Sequence, residues 1–163
     1  MYGNNATAGT SYLPSFGKKV WVDADVMLAR GTLEKYFVYV HNVTTGLLPY
    51  LRLQIWTPVH SDMETRYRLK WQKEVAITEV DRLYEFELKP SEKIAVTEYD
   101  LIGFCSEEDV TPVSMRYGEH RTYFRAIEND EFPIVWRAYG FDPVPLPAVF
   151  SIAVEISNGR NTL

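Results

Sequence analysis

Leu51-Arg52-Leu53-Gln54-Ile55-Trp56 places Leu51, Leu53 and Ile55 on one side of an extended chain and Arg52, Gln54 and Trp56 on the other. Successive side chains of a strand point to opposite faces, so strict alternation is the pattern of a half-buried β-strand. Phe150-Ser151-Ile152-Ala153-Val154-Glu155-Ile156, close to the C-terminus, repeats it. No long helical periodicity interrupts such segments, and the chain reads as all-β.

Working outward, alternating or apolar runs predict strands over 20–27, 33–43, 47–56, 66–75, 83–88, 94–96, 101–105, 121–127, 134–139 and 148–156. Within 20–27, Val20, Val22, Ala24 and Val26 share one face. In 83–88, Tyr84, Phe86 and Leu88 point inward. Turn residues separate the runs: Thr44-Thr45-Gly46, Lys89-Pro90-Ser91, the acidic Glu107-Glu108-Asp109 and Glu128-Asn129-Asp130-Glu131. Thr57-Pro58 is expected to stop the central strand, because proline cannot donate to a ladder. Residues 141–147 hold three prolines and must be extended. About ten strands with uneven connections predict a two-sheet antiparallel sandwich of jelly-roll type, with a closed up-and-down barrel as the alternative. The domain is expected over 18–157, after a flexible lead-in at 1–17 and before a tail at 158–163.

The 163 residues suffice for one self-supporting core. Aromatic residues make up 14%, which suits broad pleated surfaces. A formal net charge of -5 with no basic run argues against nucleic acid. Cys105 is the single cysteine, so no intramolecular disulfide forms, and its apolar neighbours predict a buried, inert thiol. No run approaches the ~20 apolar residues of a membrane span, so direct membrane insertion is not expected. The opening Met1–Thr7 stretch is polar and has no signal-peptide pattern, which suits either a cytoplasmic protein or a domain of a longer secreted one. Glycosylation sequons at Asn5 and Asn42 favour an extracellular or cell-surface location.

Three segments, Leu51 to Pro58, Tyr99-Asp100-Leu101-Ile102-Gly103-Phe104 and Val149 to Ile156, occur in an order that resembles a family of extracellular β-sandwich modules of invertebrate cell-surface and matrix proteins. In those modules a strand of leucine, glutamine, valine, tryptophan, arginine and proline precedes a glycine-aspartate-isoleucine-glycine-phenylalanine turn. Here Thr57 stands in place of the arginine and Tyr99 in place of the first glycine. The resemblance implies a sandwich that serves adhesion or recognition, with no catalytic residues to carry across. Each motif also has a core role: Asp100 caps a tight turn, Gly103 allows close packing and Trp56 buries a large area.

Asp23 and Asp25, two apart on one strand, are candidate Ca²⁺ ligands, although the same spacing suits a solvated face. Glu107, Glu108 and Asp109 form a second acidic group on a loop. Glu85, Glu87 and Glu155 are the carboxylates that a glycoside hydrolase would draw on, though a strand places acids in such pairs routinely. His41, His60 and His120 show no zinc spacing and read as surface or edge residues. The segment 114–123 reads as a loop in which Arg116, Tyr117 and His120 could bind a sugar ring or a protein anchor. These observations lead to a non-enzymatic extracellular module that binds a protein or glycan partner. Homotypic self-assembly and, less favoured, a carbohydrate-active hydrolase are the alternatives.

Overall fold

The computed structural model describes residues 1–4, 18–41, 50–60, 65–106, 111–127, 131–142 and 146–158. Over these run β1 (Tyr2–Gly3), β2 (Lys19–Asp23), β3 (Gly31–Val40), β4 (Tyr50–His60), β5 (Thr65–Ala76), β6 (Arg82–Glu87) and β7 (Ala95–Val96). They are followed by β8 (Leu101–Ser106), β9 (Met115–Ala126), β10 (Ala138–Gly140), β11 (Leu146–Phe150) and β12 (Ile152–Ser157). A five-stranded sheet has the order β1-β12-β3-β6 with β7 also on β3, and a seven-stranded sheet the order β10-β5-β4-β8-β2-β9-β11. All pairings are antiparallel. The two open sheets pack as a sandwich, and the chain crosses from one to the other several times.

Leu51, Leu53 and Ile55 are fully buried between the sheets, with Trp21, Phe104 and Phe150 among their neighbours. Tyr36, in the five-stranded sheet, donates its hydroxyl to the Gly103 carbonyl of the other sheet at 2.6 Å. A side chain at Gly103 would collide with the Trp21 carbonyl oxygen, so strand β8 can lie this close only with glycine there. Asp100 caps its turn as expected, accepting the Thr97 amide at 2.9 Å while its own amide donates to the Thr97 carbonyl at 3.1 Å. Lys70, the extra residue where β5 shifts register against Ile55 and Trp56, bonds the same buried carboxylate at 2.7 Å. Tyr84 and Leu88 are buried and Phe86 half-buried, as the alternation predicts.

Several expectations are corrected. β4 runs through Pro58 to His60 rather than stopping. Its pairing with β8 ends at Trp56, so beyond that point one side of the strand has no ladder to lose. The predicted single strand over 148–156 divides at Ser151: β11 pairs β9 in one sheet and β12 pairs β3 in the other. Ser151 bridges the sheets, donating its amide to Ser114 and accepting from Tyr39. β2 ends at Asp23, so residues 24–27 do not continue its alternation. Residues 134–137 form a turn, and only Ala138–Gly140 is strand. Tyr2–Gly3, inside the expected lead-in, is a strand paired with β12.

Candidate functional site

The residues singled out in the sequence separate into two places. Segment 114–123 is not a loop, because β9 begins at Met115. A step from Leu146 to Ala148 on β11 matches a step from Thr122 to Tyr117 on β9, so β9 carries surplus residues between its two pairings. A surplus of this kind bends a strand and re-aims its side chains. Here it brings His120 and Arg121 to Asp23 and Asp25. His120 Nε2 lies 2.7 Å from Asp23 Oδ2, which also accepts the Asn4 side-chain amide at 2.7 Å. Asp23 Oδ1 accepts the backbone amides of Asp25 and Val26. Arg121 donates its backbone amide and its Nε to the two oxygens of Asp25, at 2.7 and 2.6 Å.

The electrostatics follow from these bonds. The hydrogen bond to Asp23 holds His120 above the ordinary histidine value, against desolvation and the nearby Arg116 charge. Desolvation pushes Asp25 up, but the Arg121 hydrogen bonds and the charges of His120 and Arg121 carry it below the usual carboxylate value. These residues do not fit Ca²⁺: all four carboxylate oxygens already face N–H or imidazole nitrogen groups, and the His120 ring sits between the two carboxylates. Among the described residues no group of three or more histidine, cysteine, aspartate or glutamate side chains is arranged to hold a metal ion.

Arg116 and Tyr117 stay apart from this network. Tyr117 is 57% exposed on β9, and Arg116 reaches His120 only as a charge. Glu85, Glu87 and Glu155 surround Lys35, and Glu85 bonds its ammonium group at 2.8 Å. Cys105 is buried as expected. Asn5, Asn42, Glu107, Glu108 and Asp109 lie outside the described residues.

The second place is one that the sequence reading did not single out. Gln54 and Trp56, on the face of β4 opposite Leu51, Leu53 and Ile55, are fully buried as well, Trp56 as its size predicts. Residues 131–142 cover them. Phe141 meets Trp56 and Tyr67 edge-on, and Tyr139 meets Trp56 in the same way. The Arg52 guanidinium lies 3.8 Å from the Phe132 ring centre and that of Arg68 lies 5.0 Å from Trp136. Trp136 donates its amide to the Leu69 carbonyl and Asp142 donates to Phe124.

This covering segment does not fill the space beneath it. A cleft of about 600 Å³ remains, lined by Arg66, Arg125, Glu131, Phe132, Arg137 and Tyr139 among others. Arg125 donates to the Gly140 carbonyl at 3.0 Å, and its guanidinium lies 5.1 Å from the Tyr139 ring centre. Trp136, on the same segment but outside the cleft's lining, is 61% exposed and lies in the left-handed backbone region at φ 71°. The one signal in the sequence was the density of arginine and aromatic residues from Arg121 to Tyr139. No family model, curated protein or solved structure matches this chain. The resemblance to extracellular modules therefore stands on its short motifs alone.

Proposed function

We propose that this chain is a non-enzymatic extracellular recognition module that binds a protein or glycan partner on the outer face of its seven-stranded sheet. The observation that carries this reading is Trp136. Trp21 and Trp56 are buried, whereas Trp136 is mostly exposed and held at a positive φ that costs a bulky residue on the order of 1–3 kcal/mol. Folding gains little from an exposed indole in that conformation, and its display on the segment that covers the outer face supports a role in contact with a partner. The sequons and the module-like motifs support the extracellular part of the reading.

The test is a glycan array and an extracellular protein panel, probed with the intact chain and with Trp136→Gly. Binding to at least one partner, lost in the variant while melting is unchanged, is the expected result. Equal binding by both chains would move the site away from this face.

A further inference from the structure

Resting on that reading, we infer that the cleft takes an acidic saccharide, with the carboxylate of a sugar acid held by Arg125 and Arg137. Three arginines and one glutamate line the cleft of a chain that as a whole carries 22 acidic against 17 basic residues. A concave site in which one sign of charge predominates concentrates ligands of the other. Among the described residues neither Arg125 nor Arg137 is paired with a carboxylate. Both guanidinium groups lie over the Tyr139 ring, at 5.1 and 5.6 Å from its centre. A guanidinium held against an aromatic ring with no carboxylate partner has N–H groups left for an acceptor, and their fork matches a carboxylate.

The volume of about 600 Å³ falls in the range of roughly 300–1,000 Å³ typical of small-ligand sites, enough for one or two sugar rings. Tyr139 and the exposed Ile134 in the wall offer apolar surface. A sugar acid presents both partners at once: a ring with an apolar C–H face and a carboxylate at its edge. Arg125 is pinned by Gly140, so little side-chain freedom is lost on binding.

The test is calorimetric titration of the intact chain with a uronic-acid disaccharide, its carboxyl-reduced neutral analogue and an acidic tetrapeptide. Arg137→Ala and Arg125→Ala are titrated in parallel, and thermal melts report folding. Arg137 is exposed, so its variant stays informative even if Arg125→Ala weakens the fold. The expected result is binding of the acidic disaccharide, with about tenfold or greater loss in Arg137→Ala and for the neutral analogue. Equal binding of both disaccharides, indifferent to either arginine, would overturn the acidic specificity and leave the recognition reading standing. Selective binding of the tetrapeptide would overturn the saccharide and keep the recognition site. No binding of any probe, with Trp136→Gly also without effect on the panel above, would overturn both.

Discussion

On its inner face the seven-stranded sheet meets a second sheet, and on its outer face it meets a single irregular chain segment. Both faces bury tryptophan: Trp21 inside, Trp56 outside. The inner cover consists of strands that satisfy their own backbone through ladders, so side chains alone decide the packing. Residues 131–142 form only the three-residue strand β10 and tie the rest down singly, through Trp136 to Leu69 and Asp142 to Phe124, while Ile134 bonds the Tyr139 hydroxyl within the segment. A segment constrained in this way cannot also close over the face, and the arginine-lined cleft is what it leaves open. The sheet thus has one face that supplies stability and one whose cover also shapes a site.

The largest expected effect tests whether the two layers differ in weight. Phe150, packed on Trp21 and Phe104, should cost about 3–5 kcal/mol on truncation to alanine. Phe141→Ala, at a partly exposed residue of the outer layer, should cost roughly 1–2 kcal/mol. Urea denaturation of both variants measures this, and equal losses would make the outer layer an integral part of the core.

A smaller effect concerns the network at the β9 bulge. His120 has a folded value raised by its bond to Asp23, so the paired imidazolium stabilises fully below the unfolded value of about 6.5. That contribution fades as pH rises through the raised folded value. Wild type should therefore out-melt His120→Gln most at pH 5.5, with the gap narrowing toward pH 9. A gap independent of pH would show that the residue acts through packing alone.

The smallest effect is expected at Trp136. Glycine removes the cost of the positive φ and also the Arg68 contact, so Trp136→Gly should change stability by no more than about 1 kcal/mol. A loss of the size expected for Phe150→Ala would reassign Trp136 from the exposed surface to the core.

Much of the sandwich was legible along the chain. Leu51, Leu53 and Ile55 face the core, Asp100 caps its turn through Thr97, and Gly103 lies where a side chain would collide. The site was legible only in fragments. Asp23 and Asp25 were noticed as a pair and His120 apart from them, and Asn4 and Arg121, which complete the network, were not singled out. Their partnership spans residues 4 to 121, and it depends on a bulge that follows from the unequal spacing of β9 and β11.

What the sequence determined by itself is the strand character of the chain and its all-β class, because alternation is a property of neighbours two residues apart. Only the tertiary structure decided the break at Ser151, the covering of Trp56 and the cleft beneath residues 131–142. Which face a strand buries, and against what, depends on segments distant in the chain. The size of Trp56 predicts its burial, but that Tyr139 and Phe141 are what cover it is settled only by the fold.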